Sequence, residues 1–259
     1  MLTTQYVTGA PNWIDLATPD IPASAVFYRD LFGWERESLG PHAGGYGLYK
    51  LDGRTVAATG PLTEEGARSA WTVYFMAPDV DATTEAVQQA GGTVRTGPTD
   101  VFTAGRLAAY SDPTDARFAV WQPGENDGLQ LVGAVGALEW TELFTPDPDA
   151  ARAFYGSVFG WRTAEVPFAG TEYTLISPPD GGQDATQGGI MPQTPGAEPH
   201  WLVYFSVPDC DAAVERALAL GGSLKVEPVE VEEDGSRYAR LADPFGAEFA
   251  VISTPGKPL

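Results

Sequence analysis

Pro11-Asn12-Trp13-Ile14-Asp15-Leu16-Ala17-Thr18-Pro19-Asp20, running into Phe27-Tyr28-Arg29-Asp30-Leu31-Phe32-Gly33-Trp34, decides the fold because the chain writes it twice. It returns as Leu138-Glu139-Trp140-Thr141-Glu142-Leu143-Phe144-Thr145-Pro146-Asp147, running into Phe154-Tyr155-Gly156-Ser157-Val158-Phe159-Gly160-Trp161. Trp13 and Trp140, Asp20 and Asp147, and Trp34 and Trp161 are each separated by 127 residues. An ungapped repeat of this kind means one structural unit used twice, so function lies in what the copies share and where they differ.

Within each copy the pattern divides again. Residues 12–18 alternate as a strand, with Trp13, Asp15 and Ala17 on one face and Ile14 and Leu16 on the other. Asp20 is the N-cap of a helix over about 21–32, whose Val26, Phe27 and Leu31 are expected to cover Ile14 and Leu16. Gly33 stops that helix. Strands near 46–51 and 54–60 follow around the turn Asp52-Gly53. This is a βαβββ module. A second begins at Trp71-Thr72-Val73-Tyr74-Phe75, with Asp79 capping a helix that Gly91-Gly92 ends and strands near 93–101, 106–111 and 117–121. Trp201 to Phe205, Asp209-Cys210-Asp211-Ala212, Gly221-Gly222 and Asp243-Pro244 repeat that second module. The clearest loop insertion between the copies is Pro178-Pro179-Asp180-Gly181-Gly182. The expected organisation is a domain over 1–121 (modules about 12–60 and 71–121), a Gly-rich linker over 122–137, and a domain over 138–259 (modules about 139–191 and 201–252).

The chain has 259 residues, of which 43% are hydrophobic, ample for packed cores. No apolar run reaches the roughly 20 residues of a membrane span, and the first residues lack a signal-peptide pattern. Cys210 is the only cysteine, so no internal disulfide forms; a reducing cytoplasm is the expected compartment. Cys210 takes the place of Val80 and reads as a buried apolar surrogate. A net charge of −20 repels phosphate backbones and argues against nucleic acid. Two histidines and one cysteine leave no room for a Ser-His-Asp or Cys-His arrangement. Gly44-Gly45 and Gly181-Gly182 are not followed by the helix start that a phosphate-binding loop requires.

The Trp-x-Asp/Glu-Leu strand, the Thr-Pro-Asp before a helix bearing Phe-Tyr and Phe-Gly-Trp, and the late Asp-Pro turns at 112 and 243 resemble the vicinal oxygen chelate family. That family includes glyoxalases, bleomycin-resistance proteins and extradiol dioxygenases. The resemblance covers nearly the whole chain and is greatest to a tandem, actinobacterial glyoxalase-like "hydroxylase" subgroup. It implies an α+β fold with four βαβββ modules paired into two half-barrel clefts, helices outside. Exchange of modules between halves also occurs in the family.

The resemblance further implies metal ligands on the first strand of each module and on the last strands. Those positions here are Trp13, Thr72, Trp140 and Leu202, then Arg117 and Glu248. The fourth strands, Val56-Ala57-Ala58 and Gln187-Gly188-Gly189-Ile190, carry no carboxylate. Indole and isobutyl groups have no lone pair for a cation, so no metal and no other cofactor is expected. His42 lies in a Gly-rich loop and His200 is expected on a rim. A rearranged site from Glu142, His200 and Glu248 is the alternative.

By the same layout, Trp13, Asp15, Tyr74, Arg117 and Trp121 line one cleft with Thr72, Met76 and Ala119; Trp140, Phe144 and Tyr204 line the other with Leu202, Ser206, Ala250 and Ile252. Aromatic pockets with a few charges take flat or amphipathic small molecules. Glu142 and Glu248 have no obvious cation partner in the sequence and are the candidate acid/base pair. The expected function is a metal-free protein, monomer or homodimer, that sequesters or processes an aromatic or cationic metabolite. The alternative is a glyoxalase-like lyase or isomerase, or a hydroxylase- or cyclase-like enzyme, using Glu142 or Glu248.

Overall fold

The computed structural model describes residues 2–63, 66–168, 170–180, 185–193, 196–232 and 234–256. Gly181 and Gly182, the end of the expected insertion, lie outside the described residues.

The first module runs β1 (Pro11–Thr18), α1 (Ile21–Phe32), β2 (Glu35–Ser38), β3 (Gly47–Leu51) and β4 (Arg54–Pro61). The second is β5 (Ala70–Met76), α2 (Val80–Gln89), β6 (Thr93–Val101), β7 (Gly105–Ser111) and β8 (Arg117–Pro123). The third is β9 (Leu138–Thr145), α3 (Pro148–Phe159), β10 (Arg162–Phe168), β11 (Thr171–Ser177) and β12 (Gly188–Pro192). The fourth is β13 (His200–Ser206), α4 (Cys210–Ala219), β14 (Ser223–Glu230), β15 (Arg237–Ala242) and β16 (Glu248–Ser253). The fold is α+β, four βαβββ modules in two open, mixed eight-stranded sheets ordered β2-β3-β4-β1-β5-β8-β7-β6 and β10-β11-β12-β9-β13-β16-β15-β14.

Local chemistry sets the elements. Asp20 and Asp147 accept from the amides of Ala23 and Ala150 at 2.9 and 3.0 Å, and Asp79 and Asp209 do the same for α2 and α4. Gly33 and Gly160 close α1 and α3 in the left-handed conformation at φ 77° and 69°. Asp52 and Gly53, at φ 50° and 74°, give the hairpin turn that joins β3 to β4. On α1 the buried residues are Ser24, Phe27, Tyr28 and Phe32, an i, i+3, i+4 stripe. Val26, expected to cover Ile14 and Leu16, sits off that stripe and is 46% exposed.

Two compact units emerge, and each draws on both copies. One contains residues 1–13, 72–128 and 140–202, and the other 14–71, 129–139 and 203–259. The first unit thus carries the second and third modules, and its core stacks Tyr155 on Trp161 at 4.8 Å among Phe75, Phe118, Phe159 and Trp201. The second carries the first and fourth modules, with Tyr28 stacked on Trp34 at 5.5 Å among Phe32, Trp71, Phe205 and Phe249. Each unit adds a buried relay: Trp71 Nε1 donates to Tyr28 Oη and Tyr28 to Asp243, while Trp201 Nε1 donates to Tyr155 Oη and Tyr155 to Asp112. Residues 129–139 are packed: Leu129, Leu131 and Ala137 are buried, and Gly136 O accepts from Trp34 Nε1 at 2.7 Å.

Among the described residues no helix is long and apolar enough to cross a membrane. Cys210 is buried and free, and burial pushes its thiol up to about 11, consistent with the apolar surrogate expected there.

Candidate functional site

In the first unit, strand register assembles one face of β5, β8 and β7. Tyr74 pairs with Ala119 and Met76 with Trp121; Ala119 pairs in turn with Ala109, and Trp121 with Leu107. Residues paired this way share a face. Trp71, Val73 and Phe75 of β5 are buried on the other face, whereas Thr72, Tyr74 and Met76 are half-buried. Trp121 lies over Gly105, where a Cβ would come within 2.6 Å of its ring. Its Nε1 donates to Asn126 O at 2.8 Å, and it stacks with Trp13 at 6.4 Å and 23°. Arg117 is exposed at the start of β8. Trp13, Tyr74, Arg117 and Trp121 all lie in this unit, with Tyr74 and Trp121 on one face and Trp13 stacked on Trp121.

The third module makes a second aromatic corner in the same unit. Glu142 is 6% and Phe144 9% exposed. Phe144 stacks on His200 at 5.2 Å and 15°, and His200 Nδ1 lies 2.9 Å from Glu198 O. His200 is half-buried at the start of β13. Trp140 Nε1 donates to Tyr173 Oη at 3.0 Å. Tyr173 lies across Gly189, the residue in register with Glu142; any Cβ at 189 would collide with the phenol. Tyr173 was not singled out by sequence reasoning. Its signals are the Gly188-Gly189 pair, which clears space, and the match to Tyr46, which stands 127 residues earlier.

In the second unit, Asp15 accepts from Tyr46 Oη at 3.0 Å, so the same tyrosine position serves a carboxylate in one copy and an indole N–H in the other. Tyr204 is 5% exposed and its ring lies 6.1 Å from that of Tyr238. Leu202, Tyr204 and Ser206, expected to line an open cleft, are all buried. Glu248, which the sequence left without a cation, accepts from Arg240 at 3.2 Å and has Lys225 Nζ at 3.9 Å. The reason is register: β15 pairs Ala242 with Glu248 and Arg240 with Ala250, placing Arg240 diagonally beside Glu248 on one face.

The family's metal does not fit these residues. Trp13, Thr72, Trp140 and Leu202 stand at the first-strand ligand positions, Trp140 spends its only polar hydrogen on Tyr173, and Tyr173 fills the space over Gly189. An indole N–H is a donor with no lone pair to offer. Among the described residues no three His, Cys, Asp or Glu side chains form a group that could hold a metal ion.

The modular βαβββ repeat and its late Asp-Pro turns define a class. The family model for the Glyoxalase/Bleomycin resistance protein/Dioxygenase superfamily matches residues 10–120 and 137–251, and the chain belongs to that superfamily. Among its relatives is the anthracycline biosynthesis protein DauV of Streptomyces sp. strain C5, 40% identical, with 96% of this chain and 94% of the relative covered. The glyoxylase-like CFP32 of Mycobacterium tuberculosis is also 40% identical, with 96% of each covered. Among solved structures, the Mn(II)-bound glyoxalase of Novosphingobium aromaticivorans matches at TM-score 0.65 and 17% identity, covering 95% of this chain and 83% of that one. The 2,2',3-trihydroxybiphenyl 1,2-dioxygenase of Sphingomonas wittichii RW1 matches at 0.66 and 15%, covering 95% and 91%. These two likenesses establish the fold alone.

Proposed function

We propose that the chain is a metal-free small-molecule-binding protein that sequesters or processes an aromatic or cationic metabolite. The observation that carries this reading is the stacked pair Trp13 and Trp121 beside the half-buried Tyr74 and Met76. Trp13 and Trp121 are themselves buried, and the half-buried Tyr74 ring beside them supplies area for a flat ligand at little cost in side-chain entropy. Two indoles, a hydroxyl and an isobutyl group stand at the superfamily's first-strand ligand positions, which favours binding by rings over binding through a cation. The relatives named for anthracycline biosynthesis point the same way, toward fused, planar rings.

The test is saturable quenching of the seven tryptophans by a dihydroxyanthraquinone. Trp121→Ala is expected to weaken binding about tenfold, the loss of one good stacking contact of about 1.4 kcal/mol. Quenching that stays linear with probe, or an unchanged affinity in the variant, rules the reading out.

A second reading, an acid/base enzyme, is favoured by the burial of Glu142 beside the Trp140 and Tyr173 pair. A buried carboxylate has the environment of a proton carrier. Glu142→Gln and Glu248→Gln separate the two: an enzyme loses turnover while retaining its ligand, and a sequestering protein has no turnover to lose.

A further inference from the structure

On the sheet face of the first module opposite Asp15, strand register gathers Arg36 of β2, Gly47 and Tyr49 of β3, and Thr59 of β4. Arg36 pairs with Tyr49 and Gly47 with Thr59, and Thr59 pairs in turn with Leu16, the neighbour of Asp15. Tyr49 and Thr59 are fully buried, Arg36 is half-buried, and Tyr28 of α1 packs on the Tyr49 ring at 5.9 Å. The Arg36 guanidinium crosses Gly47, where a Cβ would lie 2.8 Å from Nη2, and Nη2 donates to Gly45 O at 2.7 Å. Three buried polar atoms are left here without a hydrogen-bond partner: Arg36 Nε, Tyr49 Oη and Thr59 Oγ1. They lie close enough to act on one another, because burial raises the Tyr49 phenol to about 12 against the opposing pull of Thr59 and of the Arg36 charge. The third module shows that the fold needs no polar groups at these places. Its register pairs Thr163 with Ile176 and Thr174 with Ile190, so Ile176 stands for Tyr49, Ile190 for Thr59, Thr163 for Arg36 and Thr174 for Gly47. Ile176 and Ile190 are fully buried, and Thr174 carries the Cβ that Gly47 gives up to Arg36. An orphaned buried donor is costly, and three at one point, where the other copy has isoleucines, mark a site rather than a packing need.

We propose that Arg36, Tyr49 and Thr59 hold a small monovalent anion of the size of chloride between the sheet and α1. All three orphaned atoms can donate, one through a guanidinium N–H and two through hydroxyls. Among the described residues no carboxylate forms an ion pair with Arg36, so the anion supplies the countercharge to a half-buried cation. Nη2 is committed to Gly45 O, which breaks the two-nitrogen grip that favours a carboxylate or phosphate. A spherical ion suits the single N–H and two hydroxyls that remain.

The experiment is thermal unfolding of the full chain in sodium chloride, sodium bromide and sodium gluconate at one ionic strength, together with anomalous scattering from crystals grown in bromide. The melting temperature is expected to rise in either halide by a few degrees above its value in gluconate, and to saturate, because an ion bound only by the folded chain stabilises it. Thr59→Val removes one hydroxyl at nearly constant shape and Arg36→Gln removes the charge; each is expected to lose at least half of the halide-specific rise. One bromide per chain is expected between the three side chains. A melting temperature set by ionic strength alone overturns the proposal, as does a full halide response in Thr59→Val. Bromide found only at the surface overturns it too, and then a water joins the three groups. Should Arg36→Gln fail to fold, Thr59→Val and the bromide position decide.

Discussion

Tyr28 donates its phenolic hydrogen to Asp243, 215 positions away in sequence, at 3.2 Å, and Tyr155 makes the same bond to Asp112 at 3.2 Å. Each carboxylate is also tied to its own turn, Asp243 accepting from the amides of Phe245 and Ala247 and Asp112 from those of Thr114 and Ala116. A helix of one module is thereby fixed to the last turn of the module that shares its core. Burial holds both phenols far above the ordinary tyrosine range, so they remain donors at any working pH.

Tyr28→Phe and Tyr155→Phe each leave a buried carboxylate and a buried indole N–H short of one partner. Each is expected to cost about 1–3 kcal/mol, read from urea unfolding. The two relays share no partner, so the double variant should lose the sum of the two within about 0.5 kcal/mol. A loss far from that sum would show the cores to be coupled.

Burial raises the carboxyls of Asp112 and Asp243 above the usual value near 3.8, against the opposing pull of their hydrogen bonds. The native state therefore keeps these protons to higher pH than the unfolded chain does. Stability tied to the two groups is complete below pH 3.8 and is lost as pH rises through their native values. Stability of wild type measured against an Asp112→Asn/Asp243→Asn variant should fall over that interval and then level. A difference that rises with pH there contradicts the assignment.

Gly9 sits at φ 76°, and its carbonyl accepts from Trp161 Nε1 at 2.9 Å and from Gln187 Nε2 at 2.7 Å. A Cβ there would lie 2.5 Å from Trp161 Nε1. Gly9→Ala combines a left-handed backbone with overpacking and is expected to cost about 2–4 kcal/mol. A melting temperature within a degree of wild type would show that the N-terminal segment shifts freely.

Phe102 is left-handed at φ 49° and 83% exposed, in the turn between β6 and β7. Asparagine tolerates that backbone and exposes no ring, so Phe102→Asn is expected to stabilise by about 0.5–1 kcal/mol. A destabilised variant would mean that the ring has a partner on the protein.

Treatment with a strong chelator is expected to leave melting temperature and probe affinity unchanged, because indole, hydroxyl and isobutyl groups occupy the superfamily's first-strand positions. A drop in either would place a bound divalent ion in the protein.

Much of the fold was legible because its signals are local. The aspartate caps, the closing glycines at 33 and 160 and the strand alternation around Trp13 and Trp71 each act within a few residues. The site was legible only in part. Alternation placed Tyr74 and Trp121 on one face, as the strand register has them, but it did not show that Trp121 and Tyr204 are both buried. Glu248 read as an isolated acid because its partner, Arg240, is a neighbour only after β15 and β16 pair. Tyr173 went unnoticed because a ring crossing a strand onto Gly189 leaves no periodic trace.

The sequence by itself determined that a βαβββ unit occurs four times, since periodicity belongs to residue types. Tertiary structure alone decided which modules share a core. Helix α1 buries Tyr28 wherever a complementary turn is available, and only folding selects Asp243. Two faces with the same alternation differ because Arg240, the counterpart of Ala109, reaches Glu248, a pairing made only when β15 and β16 come into register.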